Sequence, residues 1–261
     1  MMDFGLVSII TPSYNSADYI AETIETILAQ TYTNWELLIT DDCSSDKTCE
    51  IVYEYCSKDS RIKFFQLDKN SGAGVARNNS IKEAKGRFIA FCDSDDCWYP
   101  TKLEKQLEFM VKNGYEFTCT SYDCCNENNE IVGFVSCKKK ITYLSLLKDN
   151  SIGCLTSMYD ISRIGKIYMP TIRKRQDWGL WLAIIKKTKY VYGLQEPFAK
   201  YRIRSNSISS NKLAMLKYNY RLYKEVEGFS CLISFLLLTL YFLPYYFYKK
   251  IKQRLTFVVK K

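Results

Sequence analysis

Arg87–Cys92 (RFIAFC) is a short, nearly unbroken apolar run that stops at residues of the opposite kind, Asp93-Ser94-Asp95-Asp96. A run of this length reads as a buried strand, and a strand covered on both faces needs no polar alternation. The same grammar recurs on the N-terminal side. Leu6–Thr11 (LVSIIT) ends at Pro12, Trp35–Thr40 (WELLIT) runs into Asp41-Asp42, and Ile62–Leu67 makes a third run. Helical patterns separate them over Ala17–Gln30, Asp46–Lys58 and Ala73–Lys85. In the first of these, Tyr19, Ile20, Ile24, Ile27 and Leu28 recur at helical spacing, with Ser16 as the expected N-cap. On the C-terminal side, Pro100 opens a helix through about Asn113. Strand–helix alternation of this kind predicts βαβ units, hence an α/β fold with a Rossmann-like sheet and flanking helices. From Tyr115 to Tyr201 the pattern is mixed, with strands expected over Glu116–Tyr122, Ile131–Val135 and Leu155–Tyr159 and a helix over Asp177–Lys187.

The charge is distributed unevenly. The 261 residues carry 37 Lys and Arg against 28 Asp and Glu, a net of +9. From Tyr201 to Lys261 there are twelve basic residues and two acids, so the first two hundred are close to neutral. A nucleic-acid binder would carry its basic residues on the folded surface; a basic tail suits an anionic membrane face. Within that tail, Phe229–Tyr248 is uncharged, long enough to cross a bilayer, interrupted by Pro244 and rich in tyrosine. Lys249–Lys261 then alternates basic residues with Ile251, Leu255, Phe257 and Val258, as a helix lying on a membrane surface does. A kinked or re-entrant in-plane anchor is favoured over a true span, which would set the terminal basic cluster against the positive-inside preference. The division expected is a catalytic domain over 1–210 and a membrane-associating tail over 211–261. Eleven cysteines without a Cys-x-x-Cys, and no histidine at all, exclude the usual zinc arrangements. Met1 leads directly into a strand-like segment, so reduced cysteines on the cytosolic side are expected.

Each acidic group falls at the C-terminal end of an expected strand, where open α/β sheets bind ligands. Carboxylates crowded on one short loop repel one another unless a cation lies between them, and oxygen-only ligation selects Mg²⁺ or Mn²⁺. Read alone, the same acidic turn could equally be a solvated cap for the Pro100 helix.

Five pieces in order resemble glycosyltransferase family 2: Val7–Asn15 (VSIITPSYN), Trp35–Thr48 (WELLITDDCSSDKT), Gly72–Asn78 (GAGVARN), Phe91–Leu103 (FCDSDDCWYPTKL) and Gln176–Trp181 (QDWGLW). The resemblance covers roughly residues 5–205 and implies the GT-A fold, a UDP-sugar donor and inversion at the anomeric carbon. It further implies that Thr11, Pro12 and Tyr14 line the nucleobase pocket and that Asp42 accepts from the uracil ring nitrogen. Arg77 would lie near uracil or diphosphate, Asp93 at the ribose, and Asp95, with Asp93, at a Mn²⁺ or Mg²⁺ ion. Asp96 would support the loop or face the donor sugar, and Asp177 would be the general base. Among bacterial relatives with this layout, the resemblance suggests a polyprenyl-diphosphate-linked saccharide acceptor, O-antigen or capsule assembly, and the cytoplasmic face of the inner membrane.

Other readings of the same residues are an N-cap role for Asp177, a helix-surface ion pair for Arg77, and sugar stacking or core packing for Trp178 and Trp181. Three positions depart from the family pattern. Gln176 stands where an acid commonly precedes the base, Cys43 where glycine follows the two aspartates, and Arg204, within Tyr201–Ser209 (YRIRSNSIS), where many relatives have histidine. Arginine could pair with phosphate but cannot ligate a metal. A dinucleotide-binding reading of Gly72-Ala73-Gly74 fails because Arg77 sits where a third small residue belongs. A sugar-phosphate nucleotidyltransferase would need a glycine-rich basic loop where Pro12–Ser16 (PSYNS) stands. A catalytically inactive saccharide-binding protein is the remaining rival, distinguished by metal-dependent UDP binding without turnover.

Overall fold

The computed structural model describes residues 2–204 and 212–258. The four apolar runs of the front half are strands β1 (Val7–Ser13), β2 (Trp35–Asp41), β3 (Ile62–Gln66) and β4 (Phe88–Phe91). They pair in parallel, with β1 between β2 and β4 and β3 outside β2. Helices α1 (Ile20–Leu28), α2 (Thr48–Lys58) and α3 (Ala73–Glu83) connect them. β1 and β2 are buried along their whole length, which is why neither alternates polar with apolar. Their side chains divide between two cores with period two. Ile9, Leu37 and Ile39 join Ile20, Ile24 and Ile27 on one face, whereas Ile10 and Leu38 join Ile81 and Phe91 on the other.

The rear of the molecule contains β5 (Cys97–Trp98), α4 (Lys102–Lys112), β6 (Phe117–Cys125), β7 (Ile131–Val135) and β8 (Lys140–Thr142). It continues through α5 (Tyr143–Lys148), a 3₁₀ turn at Cys154–Thr156, β9 (Met158–Asp160) and α6 (Ile161–Ile164). It closes with α7 (Gln176–Thr188) and β10 (Tyr190–Arg202). All ten strands form one mixed sheet, ordered β3-β2-β1-β4-β9-β6-β10-β5, with β7 on β6 and β8 on β10. Because the chain passes from β3 across to β4, the strand order reverses at β1. The crevice beyond the C-terminal ends of β1, β2 and β4 is therefore the switch point at which such sheets bind ligands.

Some expectations shift. Ser16 is not the N-cap of α1; that position falls to Tyr19 without a side-chain bond, while the Ser16 hydroxyl lies 2.8 Å from that of Ser94. The Pro100 helix begins at Lys102. The strand expected over Leu155–Tyr159 divides into the 3₁₀ turn and β9. β5, β8 and β10 were not foreseen.

The C-terminal segment comprises α8 (Lys212–Arg221), a π-helical turn at Leu222–Val226, α9 (Cys231–Leu236), a second π-helical turn at Leu237–Phe242 and α10 (Leu243–Val258). From Cys231 onward this is one continuous helix. The break expected at Pro244 does not occur, because the π turn just before it absorbs the missing N–H. One side packs on the α/β body: Phe242 lies 6.1 Å from the Trp178 ring, the Tyr241 hydroxyl donates to the Leu144 carbonyl, and Lys249 pairs with Asp149 at 2.8 Å. The other side exposes Leu232, Phe235, Leu240, Phe247, Tyr248 and Ile251. Cys231–Ile251 is, among the described residues, the one helix long and apolar enough to cross a membrane. Of the basic-apolar run to Lys261, residues 259–261 and the side chains of Leu255, Phe257 and Val258 lie outside the described residues, as do Ser205–Ser209.

Candidate active site

The β1 and β2 ends form the first wall. Thr11 and Pro12 are buried within β1, and Tyr14, just past its end, is half exposed. The Asp41 carboxylate accepts from the Ser44 N–H at 2.7 Å, the Ser13 hydroxyl at 3.0 Å and the Ser44 hydroxyl. Asp42 is 3% exposed and takes the N–H of Ser71 on one oxygen at 2.6 Å and that of Gly72 on the other at 2.8 Å. Gly72 has φ +95°, a region side chains avoid, and is the N-cap of α3. Asp42 thus ties the end of β2 to the start of α3 and keeps a lone pair free on each oxygen.

The second wall follows β4. Asp93 accepts from Arg77 at 2.6 Å, and Asp95 from Arg204 at 3.0 Å. Arg77 is 7% exposed, so its pairing is interior to the site and the surface ion-pair reading is overturned. Burial lowers the pKa of its guanidinium, but the Asp93 charge outweighs this and drives it upward. Burial and the neighbouring Asp93 hold the Asp95 carboxyl above its ordinary range, against the opposing pull of Arg204. Asp96 is pushed up further by burial and by both neighbours. It is 2% exposed, its carboxylate accepts the Arg202 N–H at 3.1 Å, and its carbonyl accepts the Thr23 hydroxyl at 2.9 Å. Asp96 is therefore the support of this loop.

The third wall is the N-terminus of α7. Here the cap is Arg175, in the left-handed region, and Asp177 lies one residue inside the first turn with no capping bond, which removes its N-cap reading. Its carboxylate accepts from the Asn150 amide at 2.8 Å. Gln176 lies so close to Gly74 that a Cβ there would meet its side chain at 2.9 Å, and its amide donates to the Arg173 carbonyl at 2.8 Å. The departure at Gln176 is thus a packing contact between α3 and α7. Arg77, one turn beyond Gly74, follows on the same face of α3. Cys154 is partly buried where the walls meet: desolvation raises its thiol pKa, Asp93 and Asp177 raise it further, and Arg77 lowers it. Trp178 and Trp181 are fully buried, the former donating to the Leu146 carbonyl at 2.8 Å. Neither can stack on a sugar.

Arg202 and Glu22 are functional supports that the sequence reading missed. Arg202 pairs with Glu22 at 2.6 Å and donates to the Asp95 carbonyl at 3.0 Å, so β10 clamps the acidic loop against α1. Their separation of 180 positions leaves no local signal. Asn150 was missed for the same reason, 27 positions from its partner. A groove lined by Lys105, Phe109, Leu194 and Phe198 contains none of these residues.

Among the described residues, no three Cys, Asp or Glu side chains converge as a closed metal site. Asp93 and Asp95 do fit a hard divalent ion of the kind that takes one or two carboxylates and completes its shell with phosphate oxygens. Burial first, and the neighbouring Asp93 second, raise the pKa of Asp95, so a cation beside the pair would favour its charged form.

Residues 8–161 match the family model described as glycosyl transferase family 2. The chain belongs to that family. The transferase is 46% identical over 218 residues to the UDP-Glc:alpha-D-GlcNAc-diphosphoundecaprenol beta-1,3-glucosyltransferase WfgD of Escherichia coli, covering 83% of this chain and 84% of that protein. It is also 46% identical over 223 residues to a candidate teichuronic acid biosynthesis glycosyltransferase, TuaG, of Bacillus subtilis, covering 85% and 88% of the two chains. In fold it is similar to S. aureus TarS in complex with UDP-GlcNAc, with TM-score 0.67, 22% identity and coverage of 90% of this chain and 71% of that one. It is likewise similar to the mannosyltransferase PcManGT of Pyrobaculum calidifontis in complex with GDP-Man and Mn²⁺, with TM-score 0.66, 15% identity and coverage of 89% and 69%. The transferase thus has the GT-A fold: a mixed sheet with flanking helices, plus an apolar C-terminal helix.

Proposed function

We propose that this transferase moves a hexose, glucose or galactose, from a UDP-sugar with inversion onto a GlcNAc- or GalNAc-diphospho-undecaprenol acceptor in O-antigen, lipopolysaccharide or capsule assembly. The observation that carries the reading is the convergence of Asp93 and Asp95 with Arg77 and Asp177 at the switch point of the sheet. The names of WfgD and of a second Escherichia coli relative, WfaP, 39% identical over 211 residues, support the donor and acceptor classes.

In this reading Thr11, Pro12 and Tyr14 line the nucleobase pocket, and a free lone pair of Asp42 accepts the uracil ring N–H. Asp93 binds the ribose, with Arg77 holding its carboxylate in place. Asp95, with Asp93, would hold Mn²⁺ or Mg²⁺, which when bound supplies charge neutralisation at the diphosphate. Asp177 takes the proton of the acceptor hydroxyl as its oxygen bonds to the anomeric carbon. The bond from that carbon to UDP breaks, and its electron pair leaves with the diphosphate. A positioned base of this kind is worth about 10²–10⁴ in rate.

The tail has a place in the same scheme. An apolar strip carrying Leu232, Phe235, Leu240 and Phe247, on a helix whose other side packs on the catalytic body, suits a helix lying in the membrane plane at the cytoplasmic face of the bacterial inner membrane. Residues 1–210 would carry the catalysis and 211–261 hold it at its lipid-linked acceptor.

Purified protein given a panel of UDP-sugars, a synthetic GlcNAc-diphospho-lipid, and Mn²⁺ or EDTA tests the chemistry. Product from a single UDP-hexose, lost with EDTA and with Asp177→Asn, is the expected result; no UDP binding under any condition would sink it. Leu240→Glu with Phe247→Glu should abolish co-sedimentation with anionic phosphatidylglycerol vesicles and leave the melting temperature unchanged, since both side chains are exposed.

A further inference from the structure

Asp177 receives one hydrogen bond from a side chain outside its own helix, and the residue that donates it stands in an unusual neighbourhood. Asn150 Nδ2 donates to Asp177 Oδ2 at 2.8 Å. The other half of the same amide, Oδ1, is buried without a hydrogen-bond partner among the described residues, and so is the hydroxyl of the next residue, Ser151. A buried polar atom left unpaired costs about 1–3 kcal/mol. Two adjacent ones, beside a carboxylate that must meet a hydroxyl, are places that a ligand completes. Asn150 Oδ1 can only accept, so its missing partner is a donor. A pyranose, with hydroxyls on neighbouring carbons, offers one donor to Asp177 and another to this pair.

The segment is also built to stay still. Leu147 before it and Ile152 after it are buried in the core. At Gly153 a Cβ would meet the Tyr122 ring at 2.8 Å, so the backbone is pressed against that ring. On the other side, Lys249 of α10 pairs with Asp149 at 2.8 Å. A catalytic carboxylate must be held to within about 0.5 Å by neighbours whose own positions are locked, and this segment meets that need.

We infer that Asn150 is a positioning residue for Asp177, and that Asn150 Oδ1 with Ser151 Oγ receives a second hydroxyl of the acceptor sugar. This rests on the reading of Asp177 as the base. Asn150→Ala should lower kcat about 10- to 100-fold, a fraction of the full effect of a base, with the KM for the UDP-sugar within about twofold. Asn150→Asp should fall at least as far, because it cannot donate and repels Asp177. Ser151→Ala should raise the acceptor KM about fivefold and leave kcat in place, as expected for losing one neutral hydrogen bond. UDP affinity unchanged in each variant, and melting temperature unchanged in Asn150→Ala and Ser151→Ala, separate these effects from misfolding, and Asn150→Ser replaces Asn150→Ala if the latter does not fold. An active Asp177→Asn enzyme would overturn the base reading itself. An inactive Asp177→Asn enzyme alongside Asn150→Ala and Asn150→Asp enzymes of normal kcat would overturn the positioning role alone. A Ser151→Ala effect on donor KM instead of acceptor KM would overturn the acceptor contact.

Discussion

The acidic pair behind β2 and the acidic triplet behind β4 occupy the same edge of one sheet, yet they are held in opposite ways. Every carboxylate oxygen of Asp41 and Asp42 receives an N–H or a hydroxyl from a neighbouring loop. Asp93, Asp95 and Asp96 crowd one another and are offset by Arg77, Arg204 and a single backbone N–H from Arg202. The first arrangement is architecture; the second gathers buried like charges that Arg77 and Arg204 offset only in part. Substitution by the neutral amide should split them. Asp95→Asn is expected to cut kcat/KM by about 10²–10³, the scale of losing one preorganised electrostatic contact. Its stability should hold or rise. Asp95 has a folded pKa above its unfolded one, so the fold is penalised above that pKa and regains stability as pH falls through it; the amide removes the penalty at neutral pH. Asp42→Asn should do the reverse in stability. An amide keeps only one acceptor oxygen for two backbone N–H groups, and a charge-assisted bond is worth about 1.5–3 kcal/mol, read by urea denaturation. Equal losses of stability in both variants would erase the distinction.

Lys102 sharpens the same contrast from the second wall. It starts α4 a few residues beyond Asp96 and is fully buried, donating to the Gln106 side-chain amide oxygen at 2.9 Å and lying 3.9 Å from the centre of the Trp98 ring. Burial pulls its pKa from 10.5 to about 7, only partly opposed by Cys92. Between those values the unfolded chain binds the proton and the folded chain does not, so folding stability should climb as pH rises above about 7. The climb should amount to about 1 kcal/mol by about pH 8, below the ordinary thiol midpoint of about 8.5. Lys102→Met should melt higher at pH 6 and lose this slope. Parallel melting curves for the two proteins across pH 6–8.5 would show that the ammonium is hydrated after all.

The first two walls were legible because their elements are local. A buried parallel strand is a continuous apolar run, and Asp41-Asp42 and Asp93 mark where two of them stop, whereas β1 runs through Pro12 to Ser13. β10 was not legible, although it is the longest strand with thirteen residues. It contains Gly193 and Pro197, its pairing to β6 slips twice, and it faces β6, β8 and β5 in turn, so no single period survives. β5 has two residues and β8 three, too few to show a period. At the site, the same-loop groupings were visible and the cross-chain supports were not. Arg202 to Glu22, Arg77 to Asp93 and Asn150 to Asp177 are consequences of topology. Pro244 misled for a different reason: the sequence shows the lost N–H but not the π turn that accommodates it.

The smallest test concerns the turn that follows the well-satisfied pair. Cys43 adopts φ +68°, the left-handed region, with its side chain exposed and its thiol free. A non-glycine residue there costs about 1–2 kcal/mol, and glycine removes that cost while adding about 0.4–1 kcal/mol of unfolded-chain entropy. Cys43→Gly should therefore stabilise the fold by roughly 0.5 kcal/mol, with kcat/KM unchanged within twofold. Cys43→Val, β-branched and ill-suited to positive φ, should move stability the other way and further. The reason such a residue is held there at all lies in its neighbours. Asp41 binds Ser44 from one side, and Asp42 binds Ser71 and Gly72 from the other, so the backbone between them is fixed whatever side chain it carries. If glycine instead destabilised the protein, the order of this turn would belong to Cys43 itself, and the two aspartates would lose their standing as the rigid half of the site.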